Sequence, residues 1–452
     1  MTQTPIYREL HRPQFHFTPQ KNWTNDPNGL VYYQGEYHLF FQHNPTSVKW
    51  GNMTWGHAVG TDLVHWEQLP NAIEPDELGT IFSGSAVVDW HNSAGFGQGD
   101  KPALVALYTS AGSLVEPPCP FTQSLAFSND RGRTWNKYAG NPILGHIRAD
   151  NRDPKVIWHQ PSQRWVMALY LEGNDYTLYN SPDLKSWTHL GDWTLPGVTE
   201  CPDFFPLAVD GDPADTRWVF WGADGGYLLG AFDGATFTQQ TDVLNAEYGI
   251  NGYAAQTWSD IPAEDGRRIQ ISWMRRGHYP SMPFNQQMSF PVELTLQTLP
   301  EGVRLCRQPI REIEHLHGRT HLWRDHPLTD GEPLVPDTQW DLFDIRATIE
   351  LGDADQVGLE MRGHELAYDV ADGIFTCLGE QVPIVPTEGR LELRMLVDRT
   401  SLETFIGAGQ IAISSCFLPA AADVPLSFFA RGGRAKLISL DIIELRSIWE
   451  TQ

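Results

Sequence analysis

Ser128-Asn129-Asp130-Arg131-Gly132-Arg133-Thr134-Trp135 returns, shortened, as Ser181-Pro182-Asp183-Leu184-Lys185-Ser186-Trp187. The same outline precedes them as Thr61-Asp62-Leu63-Val64-His65-Trp66 and follows, degenerate, as Phe232-Asp233-Gly234-Ala235-Thr236-Phe237. Each copy is a polar turn closed by an aromatic ring, the chemistry of a β-hairpin tip. The closing rings, Trp66, Trp135, Trp187 and Phe237, are 69, 52 and 50 residues apart. Such spacings suit a four-stranded propeller blade with variable loops. Four copies, with one more blade to close the ring, would occupy about the first 300 residues. The period alone leaves the blade number open.

Around the turns, the chain reads as all-β. Short apolar runs such as Leu30 to Tyr33, Tyr37 to Gln42, Ala103 to Ser110, Trp165 to Leu171 and Trp218 to Trp221 are separated by Gly, Pro, Asn and Asp. After Leu305 the texture changes. Arg307 to His317 alternates in charge around Ile310, Ile313 and Leu316, which fits a short helix or an extended linker. Beyond about Arg319, strands recur without the Trp-closed turn, at Trp340 to Leu351, Leu391 to Val397, Ser401 to Ile406 and Ala435 to Leu445. That texture reads as a β-sandwich. The expected division is a propeller over 1–306, a linker over 307–320 and a sandwich over 321–452.

Composition narrows the function. At 452 residues the chain exceeds one small domain and can bury large cores without disulfides. Its 56 acidic residues against 32 Lys and Arg give a formal charge of −24. A field of that sign repels phosphate backbones and anionic lipid, so neither nucleic acid nor a membrane surface is an expected partner. No run approaches the roughly 18 apolar residues of a membrane span. Met1 to Arg12 has no apolar signal core, which reads as cytoplasmic if that start is native; a secreted form stripped of its signal would read the same. Five scattered cysteines, Cys119, Cys201, Cys306, Cys377 and Cys416, offer neither a CxxC pair nor an even count, so buried reduced thiols are expected. His16, His43 and His57 show no zinc-ligand spacing and read as hydrogen-bonded scaffold. Asp210 to Asp215 lacks the later ligands of a calcium loop and reads as a hairpin turn. Gly95 to Gly99 precedes no helix, so it is a surface loop and not a dinucleotide fingerprint. No metal and no cofactor is therefore expected. Seventeen Trp, with flat faces suited to sugar rings, turn attention to carbohydrate.

Three acidic clusters lie beside proline at probable strand starts: Asn25-Asp26-Pro27-Asn28-Gly29, Arg152-Asp153-Pro154 and Glu200-Cys201-Pro202-Asp203. Singly, each is ordinary turn chemistry. Their places in the repeat change the reading. Asp26, Ser83, Asp153, Glu200 and Tyr253 are 57, 70, 47 and 53 residues apart, one per blade. Equivalent positions in successive blades converge on the propeller axis, so three carboxylates would face one another in a central funnel. Like charges in a partly dry pocket push a pKa upward, which is how a carboxyl group stays protonated to act as an acid.

These motifs resemble the β-fructofuranosidases of glycoside hydrolase family 32 (invertases, exo-inulinases and levanases). The resemblance rests on Trp23 to Gly29, Phe41-Gln42-His43-Asn44-Pro45, Trp55-Gly56-His57, Phe82-Ser83-Gly84-Ser85, Arg152-Asp153-Pro154 and Glu200-Cys201-Pro202-Asp203. Further matches are Tyr253 to Trp258, Pro291 to Leu296 and Val397 to Glu403. It implies a five-bladed β-propeller followed by a C-terminal β-sandwich. It also implies that Asp26 is the nucleophile, Glu200 the general acid/base and Asp153 the transition-state stabiliser. Asn25, Gln42, Trp50, Phe82, Ser83, Arg152 and Trp273 match substrate-contact positions. Arg152, adjacent to Asp153, is expected to keep that carboxylate ionised. Thr24 departs from the Met usual in the family and is expected to alter the pocket wall.

The activity implied is retaining, exo-acting hydrolysis of terminal β-D-fructofuranosyl units from sucrose or fructans of the inulin and levan type. Gly277 to Phe284 resembles a loop region of levanase- and inulinase-type members, favouring fructan over strict sucrose specificity. Two alternatives stand beside it: a fructosyltransferase using the same site, and a propeller that only binds sugar. Oligomeric state is left open.

Overall fold

A computed structural model of the protein describes residues 6–338, 340–419 and 425–449; the expected outer limits, 1 and 452, lie outside them. Five blades of four antiparallel strands follow one another along the chain. Blade one holds Asn22–Tyr33, Glu36–Asn44, Thr54–Gly60 and Glu67–Ile73, and blade two Thr80–Val88, Leu104–Ala111, Thr122–Ser128 and Asn136–Lys137. Blade three holds Arg152–His159, Arg164–Glu172, Asp175–Ser181 and Thr188–Thr194. Blade four holds Asp203–Val209, Asp212–Trp221, Gly226–Phe232 and Phe237–Gln239. Blade five holds Gly252–Thr257, Arg268–Met274, Val292–Leu299 and Gly302–Pro309.

The repeated turn has one fixed place. It joins the third and fourth strands of blades one to four. In each copy the Asp carboxylate accepts backbone amides of its own turn: from His65 to Asp62 at 2.8 Å, Thr134 to Asp130 at 2.9 Å, Ser186 to Asp183 at 2.7 Å and Thr236 to Asp233 at 2.7 Å. The residue after each Asp is left-handed, with φ of 62° at Leu63, 59° at Arg131, 61° at Leu184 and 99° at Gly234. For the three that are not glycine this costs roughly 1–2 kcal/mol each, offset by the captured amides. In blade five the same connection is Pro300-Glu301, with neither Asp nor aromatic. Hence four copies mark five blades.

Blades pack face to face, so their middle strands are buried on both sides. Every residue of Leu104–Ala111 is buried. Phe40, Trp55 and Tyr108 fill the contact between blades one and two, and Tyr176, Phe204 and Phe220 that between three and four. Parallel pairing of Asn22 with Phe284 and Trp23 with Asn285 closes the ring.

The propeller's last strand ends at Pro309, and the segment Arg311–Leu316 is a 3-10 turn that buries Ile313 and Leu316. Where sequence allowed helix or linker, these two anchors pull the chain into a tight turn. A six-stranded sheet beginning with His317–Thr329 then faces a five-stranded one over Ile345, Leu359, Phe375, Met395 and Phe428. Buried charges join sandwich to propeller. His16 Nδ1 lies 2.8 Å from Asp398 Oδ2 and its Nε2 2.7 Å from Glu403 Oε2, while Glu247, paired within the propeller with Arg307 at 2.7 Å, accepts from Ser414 Oγ of the sandwich at 2.9 Å. Among the described residues, no helix is long and apolar enough to cross a membrane.

Candidate active site

The inner strands all present their first residues to one end of the axis, and in four of the five blades the pairing is irregular there. Pairing registers shift between Thr24 and Pro27, between Ile81 and Gly84, and between Tyr253 and Gln256. On blade three the shift falls opposite Asp153, between Ala168 and Tyr170 of the neighbouring strand. A bulge bends a strand and re-aims a side chain that regular pleating would direct elsewhere. Asp153 (φ 66°), Glu200 (φ 51°) and Cys201 (φ 36°) are left-handed, a strained conformation that gathers at functional sites. Gly29, φ 53°, closes the first motif where a Cβ would lie 2.7 Å from both Phe40 and Trp55. No larger residue fits under Asp26 without moving those rings.

One cavity of about 370 Å³ results, and all ten nominated residues line it: Asn25, Asp26, Gln42, Trp50, Phe82, Ser83, Arg152, Asp153, Glu200 and Trp273. Ser113, Leu114, Phe121, Asp150 and Tyr253 complete the wall. Each oxygen of Asp26 has its own donor. Asn25 Nδ2 gives to Oδ1 at 3.1 Å and Ser83 Oγ to Oδ2 at 2.5 Å. Asn25 is oriented in turn by Trp23 Nε1, 2.7 Å from its Oδ1. Burial raises the pKa of Asp26 and Glu200 adds to the rise, while Ser83 and Asn25 oppose it.

Asp153, 3% exposed, takes the Cys201 amide on Oδ2 at 3.0 Å. The Cys201 thiol lies 3.5 Å from Asp153 Oδ2 and 3.7 Å from Asp26 Oδ2, which puts the two carboxylates around one sulfur. Burial, together with Glu200 and Asp26, pushes the Asp153 carboxyl up to about 7 against the pull of Arg152. The expectation that Arg152 holds Asp153 ionised is thus corrected. Its Nε stays 3.8 Å from Asp153 Oδ2, whereas its Nη2 is hydrogen-bonded to Glu200 Oε1. The Glu200 Oε2 accepts from the Tyr253 hydroxyl.

Apolar rings form the sidewalls. Trp50, 51% exposed, meets Phe82 edge-on at 6.1 Å, and Phe82 meets Phe121 at 5.5 Å. Trp273 lies edge-on to Trp23 at 6.3 Å and to Tyr253 at 6.0 Å. Thr24 does not alter this wall. It is fully buried, does not line the cavity, and its hydroxyl has no partner among the described residues.

Sequence reading placed Tyr253 at the fifth inner-strand position without a role; its partner Glu200 appears only when the blades are arranged in space. Cys201 lay inside a recognised motif, but nothing in one sequence marks its amide and thiol as the contact between two carboxylates. Phe121 and Leu114 come from a loop carrying no motif.

Comparison with known proteins agrees with this geometry. Residues 16–309 match the glycosyl hydrolases family 32 N-terminal domain, and residues 312–444 match the family 32 C-terminal domain. The levanase of Bacillus subtilis (strain 168) is 40% identical over 98% of this chain and 72% of its own length. The extracellular exo-inulinase of Aspergillus niger is 32% identical over 98% of this chain and 96% of its own. The crystal structure of exo-inulinase from Aspergillus awamori superposes with a TM-score of 0.87 at 29% identity, covering 98% of this chain and all of that one. A five-bladed propeller with three converging carboxylates, a following sandwich and matches along both place this chain in glycosyl hydrolases family 32, as a glycoside hydrolase.

Proposed function

We propose that the protein is a retaining, exo-acting β-fructosidase that removes terminal non-reducing β-D-fructofuranosyl units from sucrose and fructans. The observation that carries the reading is the meeting of Asp26, Asp153 and Glu200, from three different blades, in one cavity of about 370 Å³. Such a volume holds a terminal sugar unit and part of the next, with aromatic walls for the C–H faces and charged groups for the hydroxyls.

Cleavage of a fructoside passes through an oxocarbenium-like state that needs negative charge at the anomeric carbon and a proton on the leaving oxygen. Asp26 is fitted to the first task, because Asn25 and Ser83 favour its ionised form. Its carboxylate oxygen bonds to the anomeric carbon as the glycosidic C–O bond breaks, giving a fructosyl ester. Glu200 gives its proton to the departing oxygen. It then takes a proton from water, whose oxygen displaces Asp26 and frees fructose. Arg152 remains on Oε1 through both steps, being only a donor. The Tyr253 hydroxyl can donate to Oε2 or accept from it, so it serves both protonation states of the acid. Asp153 binds sugar hydroxyls and stabilises the developing charge. Trp50, Phe82 and Trp273 exclude water and orient the ring. In this reading catalysis belongs to the propeller; the expected limits, 1–306 with a linker over 307–320, narrow at the junction, where the last propeller strand runs to Pro309, the first sandwich strand starts at His317, and 310–316 joins the two.

The test is proton NMR of sucrose hydrolysis from the first minutes. Retention predicts that β-fructofuranose appears first and only then equilibrates. Initial release of the α-anomer would mean direct attack by water and would remove Asp26 as nucleophile.

A further inference from the structure

Two buried charges sit just beneath the carboxylates and have no part in the chemistry described so far. Lys155, two residues past Asp153 on blade three, is 3% exposed; Asp203, three past Glu200 on blade four, is 0% exposed. Lys155 Nζ lies 3.3 Å from Asp203 Oδ2 and donates to the Thr257 carbonyl at 2.6 Å. Thr257 ends the inner strand of blade five, four residues past Tyr253, and its amide donates to Asp203 Oδ2 at 2.7 Å. The amide of Phe204 satisfies Asp203 Oδ1 at 2.8 Å. Lys155, Asp203 and Thr257 therefore form a closed triangle across blades three, four and five. Those are the blades that present Asp153, Glu200 and Tyr253. Arg268, the other cation facing Asp203, is turned over the Phe205 ring at 5.1 Å and toward the Trp258 carbonyl.

Stability alone does not call for such a pair. Desolvation opposes the charge on Lys155, and well-packed apolar side chains often replace a buried ion pair with no loss of stability. What the triangle supplies is a fixed spacing between three strands at the depth where their catalytic ends diverge. Neither Lys155 nor Asp203 lines the cavity.

We infer that Lys155 and Asp203 are positioning residues, a brace that holds Glu200 at the right distance from Asp153 and Tyr253 for proton transfer to the leaving group. This rests on Glu200 being the acid. Loosening the brace misplaces that carboxyl, and a shift near 1 Å is worth about 10²-fold in rate. The loss should fall on substrates that need the proton and spare those that do not.

The experiment compares kcat/KM for sucrose and for p-nitrophenyl β-D-fructofuranoside, whose phenolate departs without protonation. It uses wild type, Lys155→Met, Asp203→Asn and Glu200→Ala. Asp203→Asn keeps shape and amide acceptor, so it carries the test if Lys155→Met does not fold. In folded brace variants, sucrose kcat/KM should fall by about 10- to 100-fold while the aryl fructoside loses less than about a third of that factor. Equal losses on both substrates, or none beyond about twofold, overturn the brace. The Glu200→Ala enzyme separates the two ideas. If it shows no dependence on leaving group, the acid assignment fails; if it shows one and the brace variants do not, only the brace fails.

Discussion

Arg152 Nη2 donates to Oε1 of Glu200 across the boundary between blades three and four. The guanidinium, stacked over the Tyr170 ring at 4.7 Å, hydrogen-bonds Glu200 and reaches its sequence neighbour Asp153 only through Nε at 3.8 Å. That choice of partner orders the charges. Burial and the like charges of Glu200 and Asp26 outweigh the pull of Arg152 and push the Asp153 carboxyl up to about 7. Asp26 keeps its own donors and Glu200 keeps two. The three nearby carboxylates therefore sit in unequal environments, each with its own set of donors.

The pH profile should report those environments. The kcat/KM profile is expected to be bell-shaped, its limbs belonging to the coupled group and not to single residues. Glu200→Gln should lower the rate steeply and flatten the alkaline limb. The Tyr253 hydroxyl orients Oε2 of Glu200 in either protonation state, so Tyr253→Phe should lower kcat/KM on sucrose by about 10-fold. An unchanged rate in folded Tyr253→Phe would mean that this hydrogen bond does not act on the acid.

Asp26→Ala should separate rate from stability. Turnover on sucrose is expected to fall by about 10⁴-fold or more, in the range seen when a nucleophile is removed. Because the folded site raises the pKa of Asp26, ionising it at pH 7 opposes folding, so the variant should melt at the same temperature or higher. Calorimetry showing a much lower Tm would attribute the lost rate to unfolding instead.

How much of this was legible in the sequence depends on what each residue needed. Asp62, Asp130, Asp183 and Asp233 could be read because a hairpin tip is local, and the turn works with the six to eight residues that spell it. Asp26, Asp153 and Glu200 could be read because blade period turns sequence spacing into angular spacing. Tyr253 and Arg152 were seen without their partner, since Glu200 reaches them only after bulges and left-handed residues re-aim the chain. His16 was rightly read as hydrogen-bonded scaffold. Its partners, Asp398 and Glu403, are more than 380 residues away, and no local pattern encodes them.

That imidazole makes a prediction about alkaline stability. Buried between two carboxylates, His16 has its pKa raised to about 9, the two hydrogen-bonded anions together overcoming the cost of burial. Its contribution is complete below the unfolded value near 6.5 and is lost as pH rises through about 9. Urea unfolding should show stability falling across that window. In His16→Gln, expected to be about 3–5 kcal/mol less stable at pH 6, the fall should disappear. A variant that keeps the same alkaline slope would place the titration elsewhere.

Cleavage position follows from the depth of the site. Beyond the carboxylates the inner strands of blades three, four and five are tied together through the buried Lys155 and Asp203, so a polymer is expected to enter end-first. An internal fructosyl unit carries another sugar on a hydroxyl that would otherwise bind the wall, leaving polar groups unpaired at about 1–3 kcal/mol each. Chromatography of inulin and levan digests should therefore show free fructose from the first minutes. Early products dominated by oligosaccharides would require an open cleft.

The pairing of Asn22 and Trp23 with Phe284 and Asn285 also governs the order of events on the ribosome. The start of the first strand of blade one is made about 260 residues before the segment that completes its sheet. At ordinary elongation rates, that is roughly 13–52 s during which the nascent chain holds an unpaired strand edge in water. Open edges of this kind are templates for pairing with another chain. Expression yield is thus set partly in the interval before residue 285 appears, and slower translation would lengthen the exposure while a holding chaperone would cover it.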